Sequence, residues 1–317
     1  MEYSNTLTKF GAAPADAEIR AILADVQARL RTNGNEEVYR RCFRSIDLTS
    51  LGATDSHEHI ERFVAKAVRF PGHYPDIENV ASVCVYPVFV ETAGLVIADS
   101  GMTITSVAGG FPSSQTYLEV KMLETAMAVE NGADEIDVVI SLGEMLSGEY
   151  DLMGNEIETL RNEVGDDVVL KVILESGVLA RPELIHRAAV IAMEAGADFI
   201  KTSTGKAAVS ATPEAAVVMC LAIREFAERT GRRVQGGRRH FDASGRRALL
   251  YDRRADSRPA VADSRSFPHR SELAGWQSAE CDRRPRGELF LISAFIRKPL
   301  ASESGAAKRR RVRCPRR

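Results

Sequence analysis

The sequence predicts an α/β protein, a TIM (β/α)8 barrel whose seventh and eighth strands are missing or scrambled. Three observations predict it. Short runs rich in Val and Ile recur along the chain. Helix-length stretches separate them. The alternation stops after Val234. Runs this continuously apolar suit strands buried on both faces, as in a parallel sheet, and strand–helix alternation is the pattern of parallel βα units.

The first periodic segment is helical. Between residues 14 and 31, Ile19, Ile22, Leu23, Val26 and Leu30 fall on one helix face. Strands are then expected at Ser45–Thr49, Ala81–Tyr86, Thr103–Ala108, Glu135–Ile140, Val168–Leu174 and Asp198–Thr202. Tyr117–Asn131 and Arg181–Ala195 read as helices between them. Six strands are placed in this way, and an eight-stranded barrel needs two more. Beyond Val234, residues 235–288 carry no sustained period, and Leu289–Ile296 alone is apolar enough for a strand.

This divides the chain into an N-terminal helical extension (1–40), a barrel body with strands one to six (41–234) and an arginine-rich tail (235–317). The charge splits the same way. The whole chain has a formal charge of −2, but residues 1–234 carry −14 and residues 235–317 carry +12. Nineteen of the tail's basic residues are Arg and only Lys298 and Lys308 are Lys. No apolar run of about 18 residues suggests a membrane span, and no signal peptide is legible. Cys42, Cys84, Cys220, Cys281 and Cys314 are scattered, without zinc spacing, which suits reduced thiols in a cytoplasm.

Three segments carry chemistry. In DFIKTSTGK, Lys201 ends a buried strand, where barrel enzymes keep their sites. Burial and neighbouring cations lower a lysine's pKa, and the free amine can attack a carbonyl. The following Thr204, Gly205 and Lys206 offer a hydroxyl, backbone N–H groups and a second cation, a phosphate cradle. An ordinary strand-end lysine facing solvent has the same local spacing. In GADEIDVVI, Asp137 alternates with Ile136 and Val138, so its carboxylate points inward and needs a partner. It is a candidate proton relay or one half of a structural ion pair. In LKVILES, Lys171 is a third ionisable group inside an apolar strand. Facing inward, it places two ammoniums near one carboxylate and helps keep one amine neutral. Facing the rim, it only snorkels to solvent.

The segments IDLT, VCVYPVFV, SVAGGFPSSQT, GADEIDVVI, LKVILESG and DFIKTSTGK, in this order and spacing, resemble the deoxyribose-phosphate aldolases over roughly residues 40–234. The resemblance implies a class I aldolase without metal or organic cofactor. It would cleave 2-deoxyribose 5-phosphate to glyceraldehyde 3-phosphate and acetaldehyde. It makes Lys201 the Schiff-base lysine and Asp137 the proton relay, with Lys171 lining the site. Asp47, Thr49 and Cys84 lie near the substrate, and Thr204, Gly205 and Lys206 hold its phosphate. Ser141 departs from the Asn of many relatives. The expected partner is a small sugar phosphate, with no nucleic acid and no membrane, and a homodimer is compatible.

The tail departs further. The family's seventh strand carries a second essential lysine in a segment like VGFKAAGGIST, and its eighth a segment like FRIGAS. Neither occurs here, and Lys is absent between Lys206 and Lys298. Codons allowed for Arg232–Ala243, read one nucleotide later, permit VGFKAAGGISTP, with Gln235 supplying the lysine. The same offset over Val261–Gly275 permits WLTPEAFRIGASSLA. The tail therefore reads as family sequence shifted by a one-base slip near Arg232, in the gene or in its reading. Two other function classes remain: an inactive remnant of the enzyme, and a basic-tailed nucleic-acid binder using KRRRVR (Lys308–Arg313). A transaldolase is a weaker rival within the Schiff-base barrels.

Overall fold

The computed structural model describes residues 2–97 and 100–231, together with Ser278–Glu280 and Phe290–Leu291. Most of the tail, including Gln235, the 261–275 segment and KRRRVR, lies outside the described residues.

Three helices precede the first strand: α1 (Tyr3–Leu7), α2 (Asp16–Asn33) and α3 (Glu36–Phe43). The 14–31 periodicity corresponds to α2, while α3 runs across the expected boundary at residue 40. Six strands follow: β1 (Asp47–Thr49), β2 (Ser82–Val85), β3 (Thr103–Val107), β4 (Glu135–Val139), β5 (Val169–Ile173) and β6 (Phe199–Lys201). Each lies within its expected run. All five successive pairings among them are parallel.

The connections are helical: α4 (His57–His73), α5 (Val90–Ile97), α6 (Leu118–Glu130), α7 (Leu142–Ser147), α8 (Tyr150–Val164), α9 (Ser176–Leu179), α10 (Pro182–Glu194) and α11 (Pro213–Thr230). Their ends follow local chemistry. The Ser56 side chain accepts from the His59 N–H to open α4, and the Thr212 side chain accepts from Ala215 N–H ahead of Pro213 at α11. Gly231, at φ 63°, ends α11 in the left-handed region that a Cβ disfavours.

Alternation along the strands sorts side chains to two faces. Val83, Ile104, Ile136, Val138, Leu170, Val172 and Ile200 join one hydrophobic core with helix residues such as Ile157, Leu160, Ala188 and Ile223. Asp47, Ser82, Thr103, Thr105, Glu135, Asp137, Lys171 and Lys201 of the same strands take the opposite face. The sheet is curled around that face. Six flat strands would hold β1 and β6 roughly 24 Å apart at the usual strand spacing, yet Lys201 Nζ on β6 lies 3.4 Å from Asp47 Oδ2 on β1.

Beyond β6 the barrel pattern changes. β7 (Ser278–Glu280) pairs antiparallel with β6, and β8 (Phe290–Leu291) antiparallel with β7. Among the described residues no pairing joins β8 to β1. β8 falls within the expected Leu289–Ile296 run, whereas β7 lies in a stretch where no strand was legible. No helix among the described residues is long and apolar enough to cross a membrane.

Candidate active site

The curled face gathers charge from four of the six parallel strands. β4 alternates Glu135 and Asp137 inward, β5 contributes Lys171, β6 Lys201 and β1 Asp47. Hydroxyls and a thiol complete it: Ser82 and Cys84 from β2, Thr103 and Thr105 from β3. All of these side chains are buried.

Lys201 donates to Asp137 Oδ2. Lys171 Nζ lies 2.6 Å from Asp47 Oδ2, 2.6 Å from Glu135 Oε2 and 3.6 Å from Asp137 Oδ1. Ser82 Oγ donates to Asp47 Oδ1 at 2.8 Å, and Thr103 Oγ1 to Glu135 Oε1 at 2.8 Å. Thr105 Oγ1 accepts from Lys171 at 3.2 Å and lies 3.1 Å from Ser82 Oγ and 3.2 Å from Glu135 Oε2, with one proton to share. The lysines and carboxylates are thus knit into one network across the strands, as buried charges require.

The electrostatics correct one expectation. The sequence reading placed two ammoniums beside one carboxylate. The structure places three carboxylates (Asp47, Glu135, Asp137) beside two lysines. Burial pulls the Lys201 pKa down and Lys171 adds repulsion, but Asp137 and Asp47 outweigh both and hold it above the ordinary lysine value. Burial likewise opposes the Lys171 ammonium, yet Asp137, Asp47 and Glu135 raise its pKa well above the usual range. For Asp47, burial is outweighed by Lys171 and Lys201, which hold the carboxyl well below the carboxylate range. Burial, with Asp137 adding to it, pushes the Cys84 thiol up to about 12, so it is a poor thiolate here.

The other expected residues sit nearby in different states. Thr49, half-buried, donates through Oγ1 to the Asp47 carbonyl at 2.9 Å. After β6, Thr204 is turned toward Glu175. Its backbone N–H lies 3.3 Å from both Glu175 oxygens, and its hydroxyl donates to Oε2. Lys206 N–H donates to Thr204 Oγ1 at 3.0 Å, and Lys206 Nζ donates to the Leu51 carbonyl. Gly205 takes φ 75°. The cradle's Thr204 donors are thus engaged by a carboxylate of the chain itself. Glu175 also adopts a left-handed backbone (φ 51°), and burial raises its pKa against the Thr204 hydrogen bonds.

Sequence reading missed Glu135, Ser82, Thr105 and Glu175. For Glu135 and Ser82 a signal existed. A partner two residues from a recognised inward residue shares its face, so Glu135 follows from Asp137 and Ser82 from Cys84. Ser141, the departure from many relatives, accepts from buried Lys121 at 3.2 Å and donates to Glu156 at 2.7 Å.

A curled parallel α/β sheet with its ionisable residues on the enclosed face defines a protein of the α/β-barrel class. The DeoC/LacD family aldolase model matches residues 45–241, and the chain belongs to that family. It is 41% identical over 204 residues to the human deoxyribose-phosphate aldolase, covering 60% of this chain and 62% of that protein. The chain therefore spans about three fifths of that relative's length. Among solved structures, one assigned as a deoxyribose-phosphate aldolase from Coccidioides immitis aligns with a TM-score of 0.54 and 26% identity, over 66% of this chain and 80% of that one. A tetrameric deoxyribose phosphate aldolase from Aeropyrum pernix shares the fold at a TM-score of 0.50 and 24% identity, over 68% and 82%.

Proposed function

We propose that this site is built for reversible aldol cleavage of 2-deoxy-D-ribose 5-phosphate through a Schiff base on Lys201. The observation that carries the reading is the contact of the buried Lys201 amine with the Asp137 carboxylate. Lys201 passes its proton to Asp137 and adds to the substrate aldehyde, and loss of water leaves a protonated imine. The C3 hydroxyl gives up its proton through water to a basic group. The C2–C3 bond breaks, and its electron pair moves into the imine to form an enamine. Glyceraldehyde 3-phosphate departs. Protonation at C2 and hydrolysis then release acetaldehyde and restore the amine. Lys171 stays charged and stabilises the developing negative charge. No metal or organic cofactor enters the reaction.

A second reading is favoured by the charge of the cluster: the chain as it stands is an inactive remnant. Asp137 and Asp47 hold Lys201 protonated, and the sequence holds no Lys between Lys206 and Lys298 to oppose them. On this reading the tail is out-of-frame sequence and the barrel body ends near residue 234.

Incubation of the full chain with acetaldehyde and borohydride, followed by peptide mass mapping, separates the two. A reduced adduct on Lys201, absent in Lys201→Leu, supports the working aldolase. No adduct supports the remnant. We further propose a self-associating, cytoplasmic protein. The buried thiols of Cys42, Cys84 and Cys220, none of them in a disulfide, suit a reducing compartment. Light scattering of the purified chain tests the assembly.

A further inference from the structure

Two buried lysines stand side by side in the cluster, and a carbonyl could in principle meet either. Their surroundings differ. Lys171 is gripped from three directions, at 2.6 Å by Asp47, at 2.6 Å by Glu135 and at 3.6 Å by Asp137. Lys201 has Asp137 close and Asp47 at the longer 3.4 Å. Glu135 is in direct contact with Lys171. Its own position is fixed, since Thr103 donates to Oε1 and Thr105 sits against Oε2. It is 3% exposed, so neither water nor rotation relieves the pairing.

We infer that Glu135 is a positioning residue that, with Asp47, pins Lys171 as a permanent ammonium and thereby leaves Lys201 as the amine open to a carbonyl. This rests on reading the site as a Schiff-base centre. Differential stabilisation separates the two amines. An amine loses its proton more readily where fewer carboxylates would be left unpaired. The groups facing Lys171 are Asp47 on β1, Cys84 on β2, the Thr105 hydroxyl on β3, Glu135 and Asp137 on β4, and Lys201 on β6. Among these carboxylates Glu135 meets Lys171 at 2.6 Å, while Lys201 is held by Asp137 and Asp47. Removing its charge therefore weakens the hold on Lys171 more than that on Lys201.

The test is a pH titration of the full chain labelled with 13C at lysine Cε, the two signals assigned with Lys171→Met and Lys201→Leu. In the unsubstituted chain Lys171 should keep its ammonium shift up to the pH of unfolding. In Glu135→Gln it should titrate before unfolding, its midpoint lowered by about one unit or more, with Lys201 moving less. Glu135→Asp keeps the charge and should restore most of the hold, which a merely structural role would not reproduce. An unchanged Lys171 midpoint in Glu135→Gln, or equal movement of both lysines, overturns the inference. Borohydride trapping with acetaldehyde gives a second readout, with adduct on Lys201 alone in the unsubstituted chain and on both lysines in Glu135→Gln. If the unsubstituted chain traps nothing, the Schiff-base reading fails while the titration still decides the role of Glu135.

Discussion

Lys171 and Lys201, on adjacent strands, converge on one carboxylate. Lys201 donates to Asp137 Oδ2, and the Lys171 amine stands 3.6 Å from Asp137 Oδ1. Asp137 therefore sets the balance between them, and its removal should separate binding of an aldehyde from its turnover. In Asp137→Asn, Lys201 loses the largest influence raising its pKa. Adduct trapping should then begin at lower pH, while any retro-aldol turnover falls by about 10²-fold or more for want of a proton relay. Trapping and cleavage assayed on the same preparation check this. Parallel loss of both would count against the assigned role.

The same cluster fixes the pH dependence of stability. Lys171 and Lys201 have folded pKa values above their unfolded ones. Their stabilisation is fully present below an unfolded value of about 10.4 and is lost as pH rises through the folded values. Asp47 is depressed, so its contribution is present above about 3.9 and is lost as pH falls through the folded value. Urea midpoints should be level in between as far as this cluster is concerned. Asp47→Asn should be destabilised most near neutral pH and converge on the unsubstituted chain in strong acid.

A second buried ion pair lies near the ends of β3 and β4. Lys121 on α6 is 1% exposed and meets Glu156 at 2.8 Å and Ser114 Oγ at 2.8 Å. Lys121→Met strands the partly buried Glu156 carboxylate and should cost about 3 kcal/mol. Adding Glu156→Gln should recover part of that loss. Denaturant unfolding of the two variants checks both statements.

The N-terminal extension is tied to the body by a close steric fit. Tyr3 is fully buried, its hydroxyl donates to Glu158 at 3.0 Å, and a Cβ added at Gly154 on α8 would lie 2.3 Å from its ring. Gly154→Ala should therefore destabilise by about 1–3 kcal/mol through overpacking. In a Tyr3→Ala background the same substitution should cost little. A double-mutant cycle reads the coupling.

A one-base deletion in the gene near codon 232 should replace the tail with sequence containing VGFK and FRIGAS. The resulting protein should unfold at higher temperature and gain aldolase turnover, because strands seven and eight would then complete the parallel barrel. A nucleotide sequence in which no such slip restores those segments would falsify the frame argument.

Sequence and structure divide the explanation along physical lines. Six strands were legible because a Val/Ile run bounded by helical stretches is a local pattern, and each observed strand lies inside its expected run. The inward Asp137 was legible because a carboxylate inside an apolar strand must face an interior partner, whereas Lys171 and Lys201 were candidates whose spacing equally allowed a solvent-facing side chain. The charge state was not. It depends on how far the sheet curls, which carries Asp47 of β1 within 3.4 Å of the β6 lysine and turns an expected two-to-one excess of ammoniums into an excess of carboxylates. Glu175 shows the same limit, since its claim on the Thr204 donors arises from loops that follow different strands. Local spacing thus determined which residues were candidates to line the interior. Which of them pair, and with what charge, was decided by tertiary closure, because electrostatic energies depend on through-space distances that strand order alone does not contain.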